Sequence, residues 1–201
     1  MLQTIKGKLI LLLSILVIGF FILGYEMVTL SSTGKETAVR LWTIGKVETH
    51  VSESMMELRG YQLFAHADRL EAFEKHYALA QKHLDALFPL LLAKANQDKI
   101  HVLKKDLEAW HQLNTIRINT IKTFGMRVNA PSFEQEHPKE AGEFKVLTKE
   151  SATSFDAILK LTDSLSEGVK KVNFDNINKT ETVAKGLLTL ISLFVLALFI
   201  I

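Results

Sequence analysis

The stretch LEAFEKHYALAQKHLDALFPLL, residues 70–91, places apolar side chains at alternating intervals of three and four residues. A helix with this spacing buries one narrow stripe against neighbouring helices. Three similar stripes occur elsewhere in the chain. They are Leu41, Ile44, Val51, Met55 and Leu58; Ile100, Leu103, Leu107, Trp110 and Leu113; and Phe144, Leu147, Ser151, Ser154, Ile158, Leu161 and Leu165. Four stripes predict an all-α fold, an antiparallel up-down four-helix bundle.

Short polar breaks separate the predicted helices. Residues 66–68 divide the first helix from the second, with Asp68 expected to cap the second, and residues 96–98 divide the second from the third. Residues 129–138 contain two prolines and are expected to form a loop. Pro89 lies inside the second stripe, and we expect it to kink that helix without ending it.

Two uncharged apolar runs bracket this domain, residues 9–25 and residues 186–201. Each is close to the length that an α-helix needs to cross the ~30 Å hydrocarbon core of a bilayer. The bundle should therefore be continuous with two transmembrane helices. The predicted layout is a cytoplasmic N-terminus (1–8), a first membrane helix (9–30), an outer four-helix-bundle domain (31–185) and a second membrane helix (186–201).

Basic residues set the predicted orientation. Lys6 and Lys8 precede the first run without an acidic neighbour, which places the N-terminus in the cytoplasm. No small-residue cleavage pattern follows that run, so we expect an uncleaved anchor rather than a signal peptide. The second run reaches Ile201 without the basic residues that normally mark the inner interface. We therefore expect that helix to be incomplete and a cytoplasmic part to follow it.

Composition excludes several classes of function. The chain has 24 basic and 22 acidic side chains with no clustered basic face, so nucleic acid is not an expected partner. It has no cysteine, which excludes disulfides and thiolate metal sites. No phosphate-binding glycine loop, nucleophile motif or distinct carboxylate pair is present, so we predict no catalytic residue and no enzymatic activity within these residues.

The seven histidines raise the question of a metal site. His76 and His83 lie seven residues apart, and His101 and His111 lie ten apart, without the close i, i+4 spacing of a helical metal site. Solvated surface histidines are the favoured interpretation, with no metal and no cofactor. Proton sensing by these groups is the alternative.

The segment ELRGYQLFAHADRLEAFE, residues 57–74, resembles the RGYLL-x-x-D-x-x-x-L-x-x-(F/Y) segment of helical sensors in bacterial methyl-accepting chemotaxis receptors and CHASE-type histidine kinases. The resemblance implies a dimeric four-helix-bundle sensor in the periplasm, held by two helices in the bacterial inner membrane. It also implies a cytoplasmic signalling part that contacts a kinase or adaptor. Residues 64–67 depart from the Thr-Gly turn of many relatives.

Receptors of this layout bind a ligand between distal parts of the first and fourth helices, which gives a set of candidate ligand-binding residues. On the first helix these are Arg59 and Tyr61; on the fourth they are Thr148, Ser151 and Thr153. The ligand is an unknown small molecule or a periplasmic binding protein. No cluster of arginines for a dicarboxylate is evident. A structural role for Arg59 in an internal ion pair, and for Ser151 in close helix packing, stays open.

Three classes of function fit this outer domain. The first is a chemotaxis receptor that transmits its signal as a displacement of a membrane helix. The second is the sensor portion of a histidine kinase or a diguanylate cyclase. The third is a two-pass structural or adaptor protein.

Overall fold

The computed structural model describes residues 5–200, with side chains for residues 5–197, so the first four residues of the predicted cytoplasmic N-terminus and Ile201 lie outside it. All regular structure in that range is helical, which confirms the all-α prediction. The elements are α1 (Ile5–Phe64), α2 (Ala67–Leu87), α3 (Lys94–Phe124), α4 (Pro131–Glu136) and α5 (Pro138–Ile200). Two 3-10 turns, Phe88–Leu90 and Gly125–Asn129, follow α2 and α3.

The chain divides into two compact units, and the larger one, Val39–Val169, contains the hydrophobic core. We call it the core unit. The predicted stripes supply most of this core, which confirms that they are buried faces of helices. Fully buried stripe residues include Leu58 of α1, Phe73, Leu84 and Leu87 of α2, Ile100, Leu107 and Trp110 of α3, and Ile158 of α5. Ser54 of α1 adds a buried hydrogen bond from its hydroxyl to the backbone carbonyl of Phe73, at 3.0 Å.

The break after α1 falls at residues 65 and 66 and overlaps the predicted break, residues 66–68, only at His66. Ala65 adopts a left-handed φ of 54°, and His66 precedes the first turn of α2. Asp68 does not cap α2, since it lies inside the first turn and the N-cap residue is His66, which makes no side-chain capping hydrogen bond. The carboxylate of Asp68 still lies at the positive end of the helix dipole.

The predicted effect of Pro89 was wrong. The helix does not continue past it: α2 ends at Leu87, the Phe88–Leu90 turn follows, and α3 begins at Lys94. Proline has no backbone N–H to donate to the preceding turn, and its ring crowds the carbonyl four residues earlier. The break between these helices therefore falls at residues 91–93, and the predicted break at 96–98 lies inside α3.

The predicted loop at 129–138 is mostly helical. It contains the short helix α4, and the buried side chain of Phe133 anchors this helix to the core. Gly125 ends α3 with a φ of 68°, a conformation that glycine adopts without the cost of a side chain. The connection is therefore packed rather than open.

The second unit consists of the start of α1, up to Ala38, and the end of α5, from Lys170 onward. Both helices contain stretches that are long and apolar enough to cross a membrane. Many large apolar side chains of this unit are exposed; Phe20 and Phe21, for example, are 79% and 72% exposed. Such extensive apolar exposure is unfavourable in water. Gly19 is buried, and a Cβ atom there would lie 2.7 Å from the end of the Ile191 side chain. A small residue at such a contact is typical of helices packed in a bilayer.

The two tryptophans lie in different environments. Trp110 is fully buried, as expected of a core residue. Trp42 is 61% exposed and is not part of the core. Its ring contacts His83 edge-on, and the ammonium of Lys46 lies 5.5 Å from its ring centre.

Candidate functional site

A buried polar cluster joins α3 to α5 inside the core unit. The side-chain oxygen of Asn114 accepts two hydrogen bonds, from Nη1 of Arg117 at 2.7 Å and from the hydroxyl of Ser151 at 2.7 Å. The amide nitrogen of Asn114 donates to the backbone carbonyl of Trp110 at 2.8 Å. All three polar side chains of the cluster are buried, and both the oxygen and the nitrogen of the Asn114 amide have partners inside the protein.

Arg117 is the unusual member of this cluster, because it is a buried cation held by a neutral amide. It is 3% exposed, and no carboxylate pairs with it within residues 5–197. Its guanidinium lies 5.8 Å from the ring centre of Phe144, and its Nε has no hydrogen-bond partner. A buried guanidinium normally pairs with an acidic group, so this one has the capacity to bind an anion.

Electrostatics supports this interpretation of Arg117. Burial and, to a smaller extent, the positive charge of Arg59 together lower the pKa of Arg117 to about 10. The side chain is still a cation at neutral pH. Two arginine charges from α1 and α3 therefore act on each other, and an anion bound near both would relieve that repulsion.

One face of α3 carries three side chains with polar groups, those of Trp110, Asn114 and Arg117. Their spacing of four and three residues continues the stripe that begins at Ile100. The indole nitrogen of Trp110 is buried and, like Nε of Arg117, lacks a partner. Buried donors without acceptors are rare in folded proteins, and two of them on one helix face favour a site that receives an acceptor from outside the chain.

A cavity of about 430 Å³ opens beside this cluster, between the α3–α5 connection and the start of α5. Phe144 belongs to both features, since its ring faces the Arg117 guanidinium and also lines the cavity. Lys145 lines the cavity as well and pairs with Glu134 at 2.7 Å. The cavity is large enough for a small organic ligand, at the low end of the usual range for such sites.

The structure separates the five residues that the sequence singled out. Arg59 is exposed, and its charge acts on Arg117. Ser151 belongs to the buried cluster, and Thr148 lines the cavity while its hydroxyl donates to the Phe144 carbonyl. Tyr61 is buried in the hydrophobic core, and the exposed Thr153 donates to the backbone of Lys149. Three of the five, Arg59, Thr148 and Ser151, therefore contribute to this region.

Sequence reasoning missed Asn114 and Arg117, although the chain carried a signal for both. The third stripe runs Ile100, Leu103, Leu107 and Trp110, and the same alternation continues to 114, 117 and 121. Because the predicted stripe continues to the apolar Leu113 instead, the prediction overlooks the polar residues at core positions 114 and 117. A polar residue at a core position of a helical stripe is the informative exception.

A second group of polar side chains lies elsewhere in the core unit. Sequence reasoning expected solvated surface histidines, but His50, His76 and His83 are half-buried, and the ring of His50 contacts the rings of the other two. With Glu53, the first two could hold a metal ion. The sequence signal was the pair His50-x-x-Glu53, which puts two ligands on one helix face.

Comparison of the chain with protein-family models, with curated proteins and with solved structures gives no match. What the protein does is therefore inferred from its own geometry and charge.

Proposed function

We propose that this chain is the sensor portion of a transmembrane chemoreceptor and that it binds a small anionic ligand near Arg59 and Arg117. In this proposal α1, α2, α3 and α5 form an antiparallel four-helix bundle in the periplasm of a bacterium. The apolar parts of α1 and α5 cross the inner membrane. The cytoplasmic signalling part would receive its signal through α5.

The observation that carries the proposal is the continuity of two helices. Both α1 and α5 run without a break from an apolar segment into the part of the chain that contributes the hydrophobic core. A ligand that favours one packing of such helices over another can shift a membrane segment by an ångström or two. The ligand needs to supply only its difference in affinity for the two packings, typically ~1–3 kcal/mol.

The charge pattern supports an anionic ligand. Arg117 is buried without a carboxylate partner in the described part of the chain, and Arg59 adds a second positive charge from α1. A carboxylate or phosphate group is the chemistry that a guanidinium recognises best, through paired hydrogen bonds. Such a ligand would connect α1 to α3, and through Asn114 and Ser151 to α5.

A second copy of the chain is a proposed partner. An exposed stripe on α1 supports this: Trp42, Thr49, Met56 and Leu63 recur every seven residues, and the three apolar members are 61%, 66% and 64% exposed. A seven-residue repeat is the pattern by which one helix packs along another of the same kind.

A chimeric receptor tests the proposal. The chain would be joined after Ile201 to the signalling half of a characterised chemoreceptor, and the activity of its kinase would be measured against a panel of small carboxylates and phosphates. We expect at least one anion to change kinase activity, and Arg117→Met to abolish that response. Arg69→Gln is the matched control, because Arg69 already pairs with Glu57 at 2.8 Å. A panel without any response, or an equal loss in both variants, would contradict the proposal.

A further inference from the structure

The three candidate metal ligands come from two helices of the core unit. His50 and Glu53 lie one turn apart on α1, and His76 lies on α2. Nδ1 of His50 and Nδ1 of His76 each lie 2.9 Å from the same carboxylate oxygen, Oε2 of Glu53. The two imidazole nitrogens are 3.3 Å apart. Three ligand atoms therefore converge on one small volume.

The distances fit a transition-metal ion. A triangle with these edges has a point roughly 1 Å out of its plane that lies about 2.0–2.1 Å from all three atoms, the bond length of zinc to nitrogen and carboxylate oxygen. The 3.3 Å edge also matches the separation of two ligands around a tetrahedral ion. The two 2.9 Å edges are shorter than this separation, so the Glu53 carboxylate oxygen has to move outward by roughly 0.4 Å to complete a tetrahedral site.

The ligand set selects the kind of ion. Two imidazoles and one carboxylate suit Zn²⁺ and related transition-metal ions, whereas Ca²⁺ and Mg²⁺ prefer all-oxygen sites. The side chains of His50 and His76 are 16% and 22% exposed, and that of Glu53 is 42% exposed. An ion can therefore enter from solvent on the Glu53 side and keep an open fourth position for water.

Neighbouring rings hold one of the ligands in place. The ring of His83 stacks on that of His50 at 5.4 Å with an angle of 14° between their planes, and the edge-on contact with Trp42 holds His83 in turn. A metal-binding side chain that its neighbours already hold in place loses less conformational freedom when the ion binds. The nearby charges of Lys46 and Lys82 act against a cation, but both amines stand on long, flexible stems near the surface.

We infer that His50, Glu53 and His76 form a binding site for one Zn²⁺-like transition-metal ion, which links α1 to α2. This site is distinct from the region of Arg117, and its ligand is a cation rather than an anion. Metal binding would stabilise the fold, because it is available only when both helices are in place.

Zinc binding by the full chain in detergent tests this inference. We expect one Zn²⁺ per chain by equilibrium dialysis, a melting temperature that rises with zinc, and the visible absorption of four-coordinate Co²⁺ when cobalt replaces it. His50→Gln and His76→Gln should each weaken zinc binding at least tenfold and remove the cobalt spectrum. His66→Gln, at an exposed position outside the cluster, is the matched control and should bind like the parent chain.

Circular dichroism of each variant separates loss of the site from loss of the fold, and the two cluster variants provide independent readings because they lie on different helices. Absence of zinc binding by the parent chain would overturn the inference. So would parent-like affinity in both His50→Gln and His76→Gln, or an equal loss in His66→Gln. None of these measurements depends on a chemoreceptor function, so the two proposals can fail separately.

Discussion

Nη1 of Arg117 donates to the side-chain oxygen of Asn114 at 2.7 Å, so a buried cation is held by a neutral amide. The same oxygen accepts from Ser151. This arrangement keeps the positive charge of Arg117 uncompensated within the described residues, which is costly for stability and useful for binding an anion.

Arg117→Met should abolish the proposed anion binding without lowering the stability of the fold. Methionine fills a similar volume without the buried charge, and even a buried ion pair can often be replaced by apolar residues with no loss of stability or with a gain of about 1–4 kcal/mol. We therefore expect an unchanged or higher melting temperature together with loss of anion binding. A melting temperature several degrees lower would show that Arg117 holds the fold together instead.

Asn114→Leu should have the opposite effect on stability. It leaves both the Arg117 guanidinium and the Ser151 hydroxyl buried without their acceptor, at about 1–3 kcal/mol for each unsatisfied group. Thermal unfolding followed by circular dichroism measures the loss. Stability equal to that of the parent chain would mean that water reaches this cluster.

Gly168→Ala should destabilise the core unit. A Cβ atom at 168 would overlap Oδ1 of Asn96, which is itself buried, so either the amide or α5 has to shift. Overpacking of this kind costs typically ~1–3 kcal/mol. Gly142→Ala on the same helix is the control: nothing lies within 4 Å of the added atom. There, higher helix propensity should stabilise by about 0.5–1 kcal/mol. Equal effects at the two sites would contradict the close contact of Asn96 and Gly168.

Met56→Cys should report the proposed dimer. The chain contains no cysteine, so a single introduced thiol cannot form a disulfide within one chain and a disulfide-linked dimer requires a second copy. Oxidation in membranes should give a disulfide-linked dimer from Met56→Cys and little from Glu108→Cys, which lies exposed on α3. Equal cross-linking at both positions would indicate random collision rather than the α1 stripe.

Most of the helical core could be predicted from the sequence, because burial follows a simple spacing of apolar residues. Phe73, Leu84, Leu107 and Ile158 lie in the core as their spacing requires. The end of α2 could not be placed as well, since whether Pro89 kinks or ends a helix depends on what packs beyond it. Local patterns do not carry that information.

The candidate sites were harder to predict, because they join residues that are far apart in the sequence. Ser151 meets Asn114 across 37 residues, and His50 meets His76 across 26. Such pairs depend on how the helices are aligned along one another, and spacing within one helix does not determine that alignment. Arg117 could have been noticed alone, as a charge at a core position of its stripe.

Labelling of single cysteines in intact cells tests the central claim, that the apolar parts of α1 and α5 cross a membrane and hold the core unit outside the cytoplasm. A membrane-impermeant maleimide should label Glu108→Cys in intact cells. It should label Lys6→Cys only after the cells are lysed, since Lys6 precedes the first apolar run. Protection of Glu108→Cys until lysis, or a mature protein whose mass lacks the first apolar run, would contradict the account.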